Sequence, residues 1–284
     1  MDDTLLIYLH IPKTGGETLR WTIENQFPVQ RVAHCYEYRV RQRLLALDDA
    51  HKRRLRLVVG HYPFGLHNHF PQPTRYVTML RDPVKHFISI YHFQIDEGKQ
   101  HFMDTPFAAF VEQVAEGRIE KRFINNMIDN KQTRWLNEGF MDPFMAERDS
   151  SWPESLPAAD VDEAIAHLEA RFPVFGLTGR FHASIALFGR AFGWENMAYI
   201  TRNETSKKPR PDDLPAWMVE TIREYNAVDL DLYAYAVDRF EQLLREYDIT
   251  DADVERVRDP GFLQQMGVYA QRGLRKLYYA SRPA

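Results

Sequence analysis

Cysteine is nearly missing from this chain. The one present, Cys35, leaves no internal disulfide framework and predicts a reducing compartment. No motif surrounds it, so a structural thiol is expected. No run of 18 uninterrupted apolar residues occurs, so no membrane-spanning helix is expected. The first residues pass almost at once into a β-rich run, without a charged segment followed by an apolar one, and no signal peptide is expected. An excess of either charge is lacking too. The 36 Lys and Arg face 40 Asp and Glu, a formal net of −4, which excludes a general nucleic-acid binder and leaves room for a local basic cleft. The eleven histidines form no H-E-x-x-H and no other metal-ligand spacing, so no metal site is expected. Internal repeats and low-complexity tracts are absent as well.

What is present is organised around Leu5 to Leu19, LLIYLHIPKTGGETL. An apolar run stops at Pro12, a lysine and two glycines follow, and Glu17 to Asn25 reads as a helix. Strand, glycine turn and helix in that order make an anion site. The N–H groups at a helix start are unpaired within the helix, and the helix dipole adds roughly half a positive charge there. Lys13 adds a full charge, and the glycines let an anion approach the backbone. The loop is not a Walker A sequence, because the lysine precedes the glycines and no Gly-Lys-Ser/Thr stands at the turn.

A second strand-to-helix junction lies at Arg75 to Phe93, RYVTMLRDPVKHFISIYHF. Tyr76 to Leu80 reads as a strand, Pro83 suits the first position of a helix, and Val84 to Phe93 continues it. Arg81 leaves the strand end and Ser89 lies about two turns into the helix. An arginine fork suits a phosphate dianion and the hydroxyl adds one more bond. Between the two junctions, Val40 to Arg56 reads as one polar surface helix. Leu55 to Val59 is then a short strand ending at Gly60-His61-Tyr62-Pro63-Phe64, where open α/β sheets place their chemistry.

HIPKTGGETL and the R-D-P…S-x-Y spacing together resemble the sulfotransferases that use 3′-phosphoadenosine 5′-phosphosulfate (PAPS), of the carbohydrate type that includes the heparan-sulfate and uronyl 2-O-sulfotransferases. The resemblance covers roughly Leu5 to Tyr247 and is thin between Asp96 and Arg171. It implies that Lys13, Thr14, Gly15, Gly16, Glu17 and Thr18 hold the 5′-phosphosulfate, and that Arg81 and Ser89 hold the 3′-phosphate. GHYPFGLH is similar to the 2-O-sulfotransferase stretch whose Gly-His carries the catalytic base, which implies that role for His61. That family has a second histidine two residues earlier, where this chain has Val59, so either one histidine suffices or His67 or His69 assists. Glu37 and His34 are competing bases, since some sulfotransferases use a glutamate somewhat more than twenty residues after the loop lysine. Related enzymes also fold a loop over the nucleotide, which implicates Thr205, Ser206, Lys207 and Lys208; a plain exposed loop is the other reading. The amide-rich string FINNMIDNKQTRWLNEG matches a family string near the acceptor cleft, with Asn130, Thr133, Arg134 and Leu136 in register. Asn130, Gln132 and Arg134 are then candidates for the acceptor, with His67 as a further one, against a surface-helix reading of the same residues.

The fold implied is α/β: a P-loop-like three-layer domain over 1–250, with a mainly parallel sheet of about five strands flanked by helices. A helical insertion at 96–171 and C-terminal helices complete it, and 251–284 forms a helical tail. Met141 to Pro157 reads as a loop or lid and Met197 to Thr201 as a last strand. Asp160 to Ala170, Pro215 to Asn226, Asp229 to Tyr247 and Phe262 to Tyr279 read as helices, the last docking on the domain, on a partner subunit or on an anionic membrane surface. The expected activity is transfer of a sulfuryl group from PAPS to a hydroxyl of a glycan, glycolipid or small metabolite, leaving 3′,5′-ADP (PAP). A homo-oligomer is compatible with the sequence. Animal members of the family are usually anchored Golgi proteins, whereas this chain reads as a cytoplasmic, bacterial form. Two alternatives stay open: a P-loop, kinase-like nucleotide enzyme and a non-catalytic PAP-binding protein.

Overall fold

The computed structural model describes residues 3–96, 105–118, 128–139, 157–199 and 208–280. Its centre is a four-stranded parallel sheet in the order β2-β3-β1-β4, formed by β1 (Leu5–Leu9), β2 (Val32–Cys35), β3 (Leu57–Gly60) and β4 (Thr74–Val77). All of β1 and β3 is buried, which is why they read as continuous apolar runs rather than alternating ones. One residue after β4 the chain forms β5 (Met79–Leu80). It pairs in parallel with β6 (Gly176–Leu177), and Gly176 N donates to Thr78 O at 3.0 Å. β5 and β6 thus form a second, two-stranded parallel sheet just beyond β4. Gly60 sits where β2 and β3 approach closely: a Cβ there would lie 2.3 Å from the Cys35 carbonyl oxygen.

The crossovers supply the flanking helices. α1 (Gly16–Glu24) follows β1. The polar stretch expected as a single helix is two, α2 (Tyr38–Leu45) and α3 (Asp49–Arg54), because the Asp48 carboxylate accepts the His51 N–H and starts a new helix there. α4 (Pro83–Asp96) leaves β5, and α5 (Phe107–Ala115) packs with it in a second apolar cluster that includes Phe87, Tyr91, Phe110 and Val114. α6 (Lys131–Leu136) and α7 (Val161–Arg171) come next, α7 capped by the Asp160 carboxylate, and α8 (Phe181–Phe192) follows β6. α9 (Ala216–Tyr225) and α10 (Ala227–Glu246) match the expected pair. Within 251–284, expected as helical, α11 (Asp251–Arg258) opens on a capping box between Thr250 and Asp253 and packs on α8. Met197, Ala198 and Tyr199 enter no sheet, so the expected last strand is not formed at these positions. Most of the expected lid lies outside the described residues, as do 200–207, which hold the end of that strand and most of the late loop. No described helix is long and apolar enough to cross a membrane.

The last helix, α12 (Phe262–Ala280), is tied to the first. The buried Arg275 guanidinium donates to the carbonyl oxygens of Glu24 and Phe27, at and just beyond the end of α1. That is the position where a cation offsets the negative pole of a helix.

The polar string at 130–137 is the main correction. It is neither surface nor open cleft, for Asn130, Lys131, Gln132, Thr133, Arg134 and Asn137 are all buried. The reason is a carboxylate nearly a hundred residues away. Asp229 of α10, fully buried, accepts from the N–H of Gln132 and from both the N–H and hydroxyl of Thr133, at 2.7–3.1 Å. Asn130 Oδ1 accepts the Asp229 N–H, and Arg134 pairs with Asp129 at 3.0 Å. Asp229 thereby caps the first turn of α6 from a different helix. Replacing Asp229 by Ala leaves three donors buried without an acceptor. Urea unfolding of that variant should show a loss of about 3 kcal/mol. A loss under about 1 kcal/mol would mean that the cap does not hold α6.

Candidate active site at the carboxyl ends of the strands

A cavity of about 700 Å³ opens where the carboxyl ends of β1, β3, β5 and β6 meet. That size suits a nucleotide-sized ligand, and its position is the crevice in which open α/β sheets bind ligands. Among its walls are His10, Lys13, Gly15, Gly16, Glu17 and Thr18 from the first junction, His61 from the end of β3, and Arg81, Lys85 and Ser89 from the second.

The loop after β1 has an uncommon backbone. Lys13 and Gly15 both carry positive φ, 69° and 85°, and for a lysine this conformation is unfavourable without outside support. Four side chains give that support, one on each successive carbonyl. Thr14 Oγ1 donates to Ile11 O (2.8 Å), His86 Nε2 to Pro12 O (2.8 Å), and Arg81 Nη1 to Lys13 O (2.9 Å). Thr178 Oγ1 donates to Thr14 O. A trans peptide points its N–H opposite its C=O, so with the carbonyls drawn inward the amide edge of the loop turns outward. Gly15, the N-cap of α1, has no side chain with which to cap the first turn. The loop and helix start therefore offer N–H groups and a positive helix pole to the cavity. Lys13 Nζ lies 4.2 Å from the centre of the Phe93 ring, a cation–π contact that orients it at the cavity wall.

Arg81 is held on both sides. Its N–H donates to Gln132 Oε1 and its carbonyl accepts from Gln132 Nε2, both at 2.8 Å. The Gln132 amide is committed to this clamp, so it serves the site through Arg81. Lys85 and Ser89 stand one turn apart on α4 and line the cavity with Arg81. Lys208 and Arg210 also line the cavity.

His61 sits in a cage of rings, 4.6 Å from His10, 4.8 Å from Tyr36 and 6.0 Å from Trp135, centre to centre. Its Nδ1 lies 2.8 Å from the His10 carbonyl oxygen. A carbonyl only accepts, so Nδ1 carries a proton, and in the neutral form of the ring Nε2 is the basic atom.

Several candidate residues lie elsewhere. Thr14 turns its hydroxyl to the loop and does not line the cavity. His67 bonds through its N–H and Nδ1 to the Tyr76 hydroxyl, and His34 pairs with Glu24 at 3.0 Å. Glu37 is the N-cap residue of α2. None of the three borders the cavity, nor do Asn130, Gln132 or Arg134. Thr205, Ser206 and Lys207 lie outside the described residues. Sequence reasoning missed His10, Lys85, Phe93, Thr178 and Arg210. Lys85 was findable, being one turn before Ser89 on the helix that follows Arg81. His10 comes next to His61 only through the pairing of β1 with β3.

Comparison with known proteins fits this geometry. The chain is similar to heparan-sulfate 6-O-sulfotransferase 2 of Mus musculus and of Homo sapiens, each 23% identical over 92% of this chain. It is likewise similar to heparan-sulfate 6-O-sulfotransferase 1 of Cricetulus griseus, 26% identical over 84%. These relatives are carbohydrate sulfotransferases, as the two junctions implied; they are named for 6-O transfer, where the motif resemblance was to the 2-O type. The matched region spans 48% of the mouse protein and 68% of the hamster one, so the chain covers about half the length of the first. No family model matches the chain.

His86 makes the loop's anchoring sensitive to acid. Burial pushes its pKa down to about 3, and its Nε2–H must stay on Pro12 O. In the unfolded chain the ring titrates near 6.5. Between those values the unfolded state binds a proton that the folded state refuses, so this stability is present above pH 6.5 and lost as pH falls toward 3. Its contribution is about 1.4 kcal/mol per pH unit. His86→Gln keeps an N–H for Pro12 O without titrating. The expected result is a shallower fall of unfolding free energy with acid in the variant; equal slopes would show that His86 is not the responsible group.

Proposed function

We propose that this protein is a PAPS-dependent sulfotransferase acting on a hydroxyl of a glycan or related acceptor. The observation that carries the reading is the convergence, in one cavity, of Lys13, Arg81 and Ser89 with an oriented histidine, His61. The names of the relatives support the same class. A P-loop-like three-layer arrangement is supported by the strand order with the anion loop after β1. The single, buried cysteine agrees with a reducing, cytoplasmic setting.

PAPS supplies an activated sulfuryl group whose leaving oxygen becomes the 5′-phosphate of PAP. The residues to hold it are present: among the described residues, five cations (Lys13, Arg81, Lys85, Lys208, Arg210) and one carboxylate, Glu17, line the cavity. Lys13, the loop amides and the positive pole of α1 neutralise charge that grows on the leaving oxygen. Arg81 and Ser89 fix the 3′-phosphate and so separate PAPS from ATP. His61 Nε2 takes the proton of the acceptor hydroxyl as that oxygen attacks. Most of the rate enhancement then comes from in-line positioning and charge stabilisation. Glu17 does not oppose the anions with its full charge, being paired to Arg20 at 2.8 Å.

Calorimetric titration with PAP and with ATP plus magnesium tests the nucleotide class. Wild type should prefer PAP, and Arg81→Ala should weaken it by about 10- to 100-fold, the loss of one charge-assisted pair. A preference for ATP with magnesium would return the loop to the kinases. His61→Ala should bind PAP normally yet transfer sulfate to a heparan-type oligosaccharide about 100- to 10,000-fold more slowly. Near-normal transfer by that variant, with loss in Glu37→Ala, would move the base to Glu37.

A further inference from the structure

His10 is the one buried imidazole lining the cavity, among the described residues, that the reaction above leaves without a task. It ends β1, is 5% exposed, and borders the cavity. Three neighbours fix its ring. Tyr8 stacks on it at 5.2 Å, the Tyr36 hydroxyl lies 3.0 Å from Nδ1, and Gly16 leaves it room. A Cβ on Gly16 would lie 2.0 Å from both Cδ2 and Nε2 of His10, so that edge of the ring rests on the first residue of α1. This is the centre of the anion cradle. Among the described residues, Nε2 of His10 has no hydrogen-bond partner.

The donor inventory around Tyr36 favours one tautomer of His10. Arg20 hydrogen-bonds the Tyr36 side chain, and a guanidinium only donates, so the Tyr36 oxygen accepts there. With that lone pair taken, its own O–H is available to donate to His10 Nδ1. With Nδ1 accepting, the neutral ring holds its proton on Nε2, facing the cradle. Burial, with His61, Arg20 and Lys13 nearby, keeps the ring neutral by drawing its pKa well below the ordinary value. The ionisable groups facing it are Tyr8 on its own strand, Lys13 in the loop, Glu17 and Arg20 on α1, Tyr36 after β2 and His61 after β3.

We propose that His10 is a catalytic hydrogen-bond donor: its Nε2–H binds an oxygen of the sulfuryl group or of the bridging phosphate as the group moves. The role rests on the sulfotransferase reading. The new S–O bond forms to the acceptor oxygen as the S–O bond to the 5′-phosphate breaks. The electron pair stays on that phosphate and the acceptor's proton passes to His61 Nε2. His10 keeps its own proton throughout. Two imidazoles 4.6 Å apart thus hold opposite tautomers, one a base at Nε2 and one a donor at Nε2. The His10 main chain sets the first through its carbonyl, and the Tyr36–Arg20 pair sets the second.

The test has two arms, and neither needs the natural acceptor. Long-range proton–nitrogen NMR of the histidine-labelled wild type should place the proton of His10 on Nε2 and that of His61 on Nδ1. A proton on Nδ1 of His10 overturns the proposal. In the second arm, hydrolysis of PAPS to PAP and sulfate, with water standing in as the acceptor, is followed alongside PAP affinity and thermal midpoint. His10→Phe should keep PAP affinity within about twofold and slow hydrolysis on the order of 100-fold, as for loss of one oxyanion donor. His10→Gln, whose amide reaches the Nε2 position, should recover much of the loss, whereas His10→Asn, reaching only the Nδ1 position, should not. Tyr36→Phe frees the His10 tautomer and should slow hydrolysis without adding to the His10→Phe effect. An unchanged rate in His10→Phe, or rescue by Asn and not Gln, refutes the donor role. Failure of the wild type to bind PAP at all would instead remove the underlying reading, and is seen before any variant is made.

Discussion

The site depends on how four consecutive carbonyls, Ile11 to Thr14, are drawn back into the protein. Lysine at positive φ is costly, and the loop keeps it because donors from α4, from the β5–α4 junction and from beyond β6 over-determine the backbone. The same bonds that stabilise the loop also choose its direction, with amides outward and carbonyls inward. An anion site follows from that choice alone, before any cation is added. Lys13, Arg81 and Lys85 then raise the affinity and define the shape.

The donors are themselves secured by contacts distant in sequence. Arg81 reaches Lys13 because the Gln132 amide grips both of its backbone polar groups. Gln132 is in place because Asp229 caps α6. A fully buried carboxylate on α10 thus steadies an arginine at the cleft through two layers of hydrogen bonds. Each layer is satisfied, which is the condition under which buried polar networks stabilise rather than harm.

The two junctions were legible because their information is local. A β-rich run, a Pro or Gly break and an amphipathic stretch fall within about twenty residues. The strand and helix of the first folded as read, and the second differs only in that its strand, read as Tyr76 to Leu80, is interrupted at Thr78 into β4 and β5. The break between α2 and α3 was also local, an Asp48 cap that the basic, leucine-rich composition around it concealed. The Thr250 capping box that opens α11 was equally available. The string at 130–137 was misjudged for a different reason. Polar density argues for the surface only until a partner appears, and Asp229 lies 96 residues beyond Thr133. His10 illustrates the same limit. Its place beside His61 is set by the register that pairs Leu9 with Gly60, and no pattern within either segment reports it.

The bond from Arg275 to the end of α1 has a consequence for how the protein is made. A ribosome emits the chain from the first helix to the last, and 251 residues separate Glu24 from the guanidinium that binds its carbonyl. At roughly 5 to 20 residues per second, roughly 10 to 50 s pass between the two. For that interval the helix that carries the anion site exists without the counter-charge at its far end. The loop and helix start that form the anion site are therefore among the first parts of the molecule to be synthesised and among the last to be finished.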